Sequence, residues 1–306
     1  MELRHLRYFV AVAEAGSMTV AATRKLHTAQ PSLSRQLRDL EYEVGTPLMT
    51  RRARGIELTA AGRAFLDHAR LALAQVDAAL VAARRAAQPG KASFALGFLT
   101  GQEMDWLPEA MRLLRDELPR LEVTVSSQFS PKLAEGLLNG TLDLAFMRPE
   151  PGAGELAFRV IVDEALVVVL PSDHRLAARK SIDPAALAGE PFINVSGTAP
   201  ALRTVIDAYI ERIGLAVDQA HEADNLAMAI SLVASTRGFA LLPVYAENFL
   251  PWSVVARPIK GDAPTIPLMV AHHKANDSPV LKLFLSRIDQ LIERVSGKHV
   301  VPPRGD

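Results

Sequence analysis

The spacing of apolar residues changes character at Pro89-Gly90. Before it, one short hairpin aside, apolar side chains recur every three or four positions, as on helix faces. After it, short apolar runs alternate with helical stretches, as in a sheet with crossover helices. Such a chain folds as units of different architecture, and 306 residues suffice for two or three domains.

Leu3, Leu6, Val10 and Ala13 predict a helix over 3–14, stopped by Gly16-Ser17. A short second helix runs to about Leu26, and 27–30 form a tight connection. Pro31 suits the first turn of a third helix, with Leu33, Leu37 and Leu40 on one face and a stop near Gly45. Ser32, Ser34, Arg35 and Arg38 occupy its other faces. Two short helices, a tight turn and a polar second face describe a helix-turn-helix. Residues 47–59 then place apolar stretches around a basic, glycine-containing tip, the pattern of a β-hairpin wing. A long helix follows to about Gln88. Its stripe of Leu66, Ala69, Leu73, Val76, Leu80, Ala83 and Ala87 keeps a heptad spacing that favours pairing with a second copy.

From Ala92 the order is strand 93–99, a helix from near Pro108, strand 122–126, helix 130–139 and strand 142–147. This βαβαβ order predicts a parallel sheet with right-handed crossovers. Residues 165–171 read as a buried strand, and 172–264 repeat the α/β character. Strand 266–271 and a helix over 280–295 close the fold, and 302–306 read as a frayed tail. Two lobes, crossed near 163–167 and 264–267, are expected to enclose a cleft.

Charge follows the same division. Residues 1–88 hold 13 Lys/Arg against 8 Asp/Glu, while the whole chain holds 34 of each. A basic segment on an acidic body suits a polyanion-binding module. The absence of Cys excludes disulfides, Cys-ligated zinc, iron–sulfur clusters and a cysteine nucleophile. No signal-peptide core and no membrane span are expected. Standard hydrolase, zincin and P-loop motifs are absent. His272-His273 fall on a strand pattern, so they point to opposite faces. No enzymatic activity, metal or cofactor is expected. A small-molecule sensor or carrier without a DNA role is the alternative reading.

One set of residues carries a family resemblance. Leu6-Arg7-Tyr8-Phe9-Val10-Ala11-Val12-Ala13, Ala29-Gln30-Pro31-Ser32-Leu33-Ser34-Arg35-Gln36-Leu37, Leu40-Glu41, Gly45, Leu48, Arg51 and Leu58-Thr59-Ala60-Ala61-Gly62 resemble the LysR-type transcriptional regulators. Glu135-Gly136-Leu137 through Gly140-Thr141-Leu142-Asp143-Leu144-Ala145 are similar to a stretch of that family's effector domain. Residues 165–174 and Arg257-Pro258-Ile259 look most like the aromatic-acid catabolism branch, around the phenylpropionate dioxygenase regulator. Ala21-Ala22 stand one residue further from Leu26 than the family pattern allows. The reading is that Ala22 and Thr23 take the two Ala positions and the turn at 16–19 absorbs the extra residue.

The resemblance implies an α/β protein with a winged helix-turn-helix (1–59), a linker and dimerisation helix (60–89) and a two-lobed effector domain of periplasmic-binding-protein type (90–306). Lobe I is about 90–164 with 266–306, and lobe II about 165–265. It implies a cytoplasmic dimer of dimers on an interrupted palindrome of double-stranded DNA, answering to a small-molecule inducer of aromatic carboxylate type. RNA polymerase is a further partner it allows.

Residue chemistry names the contacts. Gln30 suits adenine edges or helix capping, Pro31 a thymine methyl, and Arg35 a guanine. Ser32 and Ser34 suit phosphates or bases, and Arg51, Arg52 and Arg54 suit backbone and minor groove. Strand-to-helix turns Thr100-Gly101-Gln102, Gln128-Phe129-Ser130 and Ser196-Gly197-Thr198 offer hydroxyls and amides for a carboxylate. Ser130 suits either ligand or cap. Pro200, Leu202, Phe129 and Phe98 offer apolar walls. Arg148 offers a counter-charge or a surface ion pair.

Overall fold

A computed structural model of the chain describes residues 1–52, 55–86, 92–150 and 153–298. The chain divides into two compact units after Ala86.

In the first unit, α1 (Leu3–Ala15) ends on Gly16 in the left-handed region, φ 59°. A short α2 (Met18–Val20) is capped by the Ser17 hydroxyl. The recognition-helix candidate α3 (Gln30–Val44) ends on Gly45, φ 77°. Its Leu33, Leu37 and Leu40 are buried against Leu6, Phe9 and Val12, as their spacing required. Strands β1 (Met49–Arg52) and β2 (Gly55–Leu58) pair antiparallel as the wing.

The extra residue of the second helix is not taken up in the turn at 16–19. Residues Ala21–Lys25 form a π-helical turn, with the Leu26 N–H donating to the Ala21 carbonyl at 2.9 Å. Ala21 and Ala22 are both fully buried, while Thr23 is exposed, so the inner pair is 21/22 and not 22/23. A single wide turn accommodates one residue without rotating the buried face by about 100°. Leu26 therefore still reaches the core.

The long helix α4 (Ala60–Ala86) corrects half of the expected seam. Leu66, Ala69 and Leu73 pack on the helix-turn-helix of the same chain. Phe65 meets Phe9 edge-on at 5.1 Å. Arg70 and Lys25 both pair with Glu14. The Lys25 hydrogen bond, followed by Arg70, holds the Glu14 carboxyl below its usual range. Further along the stripe, Leu80 is 50% exposed. Ala87, the last seam position, lies outside the described residues.

The second unit is two α/β lobes. The first contains β3 (Ser93–Leu99), α5 (Glu103–Glu117), β4 (Glu122–Gln128), α6 (Ser130–Leu138) and β5 (Leu144–Met147). A sixteen-residue strand β6 (Leu156–Pro171) then leads into the second lobe. That lobe holds β7 (Pro191–Val195), α7 (Pro200–Ile213), β8 (Asp218–Ala223), α8 (Leu226–Thr236), β9 (Ala240–Pro243) and β10 (Val254–Pro258). β11 (Thr265–His273), α9 (Pro279–Ser286) and α10 (Ile288–Lys298) return to the first lobe.

β3 pairs parallel with β4 and β5, and β11 pairs antiparallel with β5 and with β6. The first half of β6 thus belongs to lobe I. From Leu166 onward β6 pairs with β9 and β10 of lobe II. β7 and β8 form a separate parallel pair. The two crossings sit side by side, where the Leu166 N–H donates to the Pro264 carbonyl at 2.9 Å.

Several boundaries moved. α5 begins at Glu103, so Pro108 lies inside it and does not start it. Glu103 and Asp105 in the first turn favour the earlier start through the helix dipole. The closing helix breaks at Arg287. Phe98, expected in the cleft wall, is fully buried and stacks on Phe146 at 4.8 Å in the lobe I core. None of the described helices is long and apolar enough to cross a membrane. The tail 302–306 lies outside the described residues.

Candidate nucleic-acid interface and ligand cavity

Gln30, Pro31, Ser32 and Arg35 are exposed at the start of α3, and Ser34 is half-buried. Gln30 does not cap. Ala29 holds the cap position without a side-chain bond. The Gln30 side-chain oxygen Oε1 instead accepts from the Thr19 hydroxyl at 3.3 Å. This leaves the Gln30 amide N–H groups as the donors it can present. Arg38 folds back on the Ser34 carbonyl at 3.4 Å, in keeping with a residue that does not read bases.

The wing is fastened to these helices by residues of the family pattern to which the sequence reading gave no role. The Glu41 carboxylate accepts from the Leu48 and Met49 amides at 2.8 and 3.0 Å. The Thr59 hydroxyl donates to the Pro47 carbonyl at 2.8 Å and accepts from the Gly62 amide at 2.9 Å. The Ile56 amide donates to the Gly16 carbonyl at 2.9 Å. A shallow cleft lies among Met18, Gln30, Arg52 and Ile56. Arg52 meets Glu57 across the hairpin at 3.3 Å, with both side chains exposed. A pair so solvated holds with about 0–1 kcal/mol, so a phosphate can take its place. Arg54 lies outside the described residues, and of Arg51 only the backbone is described.

In the second unit a cavity opens between the lobes. Thr100, Phe129, Ser130, Arg148, Thr198, Pro200 and Leu202 of the expected residues line it. Gly101, Gln102 and Ser196 are not among its lining residues. Gly101 is held in a tight turn, its amide bonded to Glu103 at 2.7 Å. Gln102 is fully buried and donates to both oxygens of Glu164 at 2.9 and 3.0 Å. The Ser196 hydroxyl is engaged by Thr198 at 2.9 Å. The cavity also takes residues that the sequence reading missed, among them Glu150, Asn225, Leu226, Leu242 and Tyr245. Its walls bound about 710 Å³ up to the open mouth, of which only about 70 Å³ admits the centre of a water molecule. The space is therefore a narrow slot.

The polar groups differ in freedom. Ser130 is helical residue one of α6 and does not cap it; its hydroxyl accepts from the Arg148 amide at 3.0 Å. The Arg148 guanidinium pairs with Glu164 and donates to the Ile266 carbonyl at 3.1 Å. It is thus neither a free counter-charge nor a surface pair, but half of a buried ion pair. The Tyr245 ring lies 6.0 Å from the Arg148 guanidinium carbon. Burial pushes the Tyr245 phenol up to about 12, so it stays protonated. Three helices, α6, α7 and α8, begin at the slot. The first-turn amides of α7, at Ala201 and Leu202, have no acceptor within their helix.

Comparison with known proteins agrees with this layout. Residues 3–63 match the family of bacterial regulatory helix-turn-helix proteins of the LysR type. Residues 87–292 match the LysR substrate binding domain. The Hca operon transcriptional activator HcaR of Escherichia coli K12 is 37% identical over 297 residues, spanning 97% of this chain and 100% of that protein. The crystal structure of CbnR, a LysR family regulator, superposes with TM-score 0.63 at 26% identity, covering 95% of this chain and 99% of that one. Full-length CbnR complexed with its target DNA matches with TM-score 0.56 at 27% identity, covering 95% and 100%. With a helix-turn-helix at one end and a two-lobed binding domain at the other, the chain belongs to the LysR family of DNA-binding transcriptional regulators.

Proposed function

We propose that this regulator answers to an aromatic carboxylate held between its two lobes. The supporting observation is the slot, whose apolar walls include Phe129, Leu202 and Leu242 and into which three helix N-termini open. Apolar walls in a narrow slot suit a ring, and helix N-termini favour an anion. The carboxylate end rests on the first-turn amides of α7, with Thr100 and Thr198 beside it. HcaR, an activator of the Hca operon, is a relative of the same overall length. Binding favours one lobe arrangement through its differential affinity for the two. Calorimetric titration of the full-length protein with a panel of aromatic acids tests the reading. Micromolar binding by one of them is the expected result; no binding by any refutes it.

On DNA, Gln30, Pro31, Ser32 and Arg35 read the major groove while Arg51, Arg52 and Arg54 hold the backbone. Arg35→Ala is expected to weaken operator binding by about 1–3 kcal/mol. Arg52→Ala is expected to weaken specific and non-specific binding alike and to flatten the salt slope. Fluorescence anisotropy at several salt concentrations checks both. Unchanged operator affinity in Arg35→Ala would exclude the assigned face.

The protein works in the cytoplasm as a dimer of dimers on an interrupted palindrome. The dimer forms along the part of α4 beyond Leu73, where Leu80 is left open. Leu80→Glu is expected to dissociate it at least about tenfold more readily, because like charges then face each other. Sedimentation velocity measures this without disturbing the core that Leu66 and Leu73 complete.

A further inference from the structure

Glu150 follows β5 and lines the slot in the company of Thr100, Arg148 and Tyr245. Its Oε1 is fully enclosed and has no hydrogen-bond partner among the described residues. A buried acceptor without a donor is costly, and native structures rarely keep one. Burial also pushes the Glu150 carboxyl above its usual range.

Three polar groups that share the slot are engaged elsewhere. Arg148 is committed to Glu164 and to the Ile266 carbonyl. The Tyr245 hydroxyl points to the Thr100 carbonyl, 3.5 Å away. The Thr198 hydroxyl donates to the Asp224 carbonyl at 2.8 Å. Among the described residues no donor is placed on Oε1 of Glu150, and a ligand that brings one would complete it.

We propose that the effector carries a hydroxyl group in addition to its acid group, and that this hydroxyl donates to Glu150. The slot then selects hydroxylated aromatic acids over unsubstituted ones. The inference rests on the aromatic-acid reading and narrows it. Glu150 also fixes orientation: an acid group beside it would bring two carboxylates together, so the acid end turns to the α7 amides. An ammonium is the other common donor. The phenethylamine arm of the test below distinguishes it from a hydroxyl.

The test is calorimetric titration of the full-length protein with 3-phenylpropionate, its 2-, 3- and 4-hydroxy derivatives, and phenethylamine. At least one hydroxy isomer is expected to bind about tenfold tighter than the parent acid, as a hydrogen bond to a charged group allows. Glu150→Ala is expected to erase that gain. Glu150→Gln, whose amide oxygen still accepts, is expected to keep part of it, and melting curves of both variants report folding. Equal affinity across the acids in the wild type overturns the proposal, and so does a hydroxyl gain that survives Glu150→Ala. Tighter binding of phenethylamine than of any acid overturns it too. Binding of the parent acid with no hydroxyl gain sinks this inference alone. Failure of every acid to bind sinks the aromatic-acid reading with it.

Discussion

Replacing Glu164 with alanine is expected to cost the C-terminal unit about 3–5 kcal/mol, the range for a buried ion pair that loses one partner. The reason lies in what is left behind. The Arg148 side chain is only 4% exposed. Without Glu164 it keeps the Ile266 carbonyl but has no counter-charge. Gln102 loses both oxygens that it holds at 2.9 and 3.0 Å. Removing the whole cluster gives a different result. Arg148→Met, Glu164→Leu and Gln102→Leu together remove both charges and the amide that depends on them, and are expected to cost far less than Glu164→Ala alone. Urea denaturation followed by circular dichroism separates the two. A loss below about 1 kcal/mol in Glu164→Ala would mean that water reaches the pair, contrary to its burial.

Gly62→Ala is expected to unfold or severely weaken the DNA-binding module. A Cβ at position 62 would stand 1.9 Å from the Leu48 carbonyl oxygen, and only 3.3 Å from the Leu48 Cα. This obstacle is backbone, so no rotamer change relieves it. That backbone is itself fixed, because the Leu48 carbonyl accepts from Thr59 and the Leu48 amide donates to Glu41. The change costs about 3 kcal/mol or more, the upper end of overpacking penalties. Operator binding should fall with it, because α4 and the wing are displaced together. The second unit should melt as before. A melting curve with two transitions, of which only one shifts, checks both statements.

The parts of the fold that the sequence revealed are those whose signal is local. Leu33, Leu37, Leu40 and Gly45 mark one helix by a repeat and a stop, both within fifteen residues. The hidden parts are those where tertiary partners decide. The first half of β6 carries Arg159, Asp163 and Glu164, which mask a strand. Glu164 is there because Arg148 of a different strand end needs it, and no spacing rule links them. Pro108 read as a helix start, yet α5 tolerates it in its second turn. The π-turn at 21–25 was visible as one residue too many, but not its location, because only the burial of Ala21 distinguishes the two readings. In the cavity, the hydroxyl-bearing turns were legible because strand-to-helix junctions attract ligands. Glu150, Asn225 and Tyr245 come from three separate connections that converge only in the folded chain.

The continuity of β6 has a mechanical consequence. The lobes are joined by two adjacent strands, one of them unbroken from Leu156 to Pro171, and a backbone hydrogen bond fastens the two at the crossing. Sliding one lobe past the other would require β6 to slip against β11, and a one-residue slip turns every side chain to the wrong face. Translation along the strands is thereby blocked, while bending and twisting across them remain soft. The strand pairing therefore favours a change of angle between the lobes over sliding. An effector in the slot is expected to be read as a change of angle between the lobes, pivoting where Ala165 gives way to Leu166.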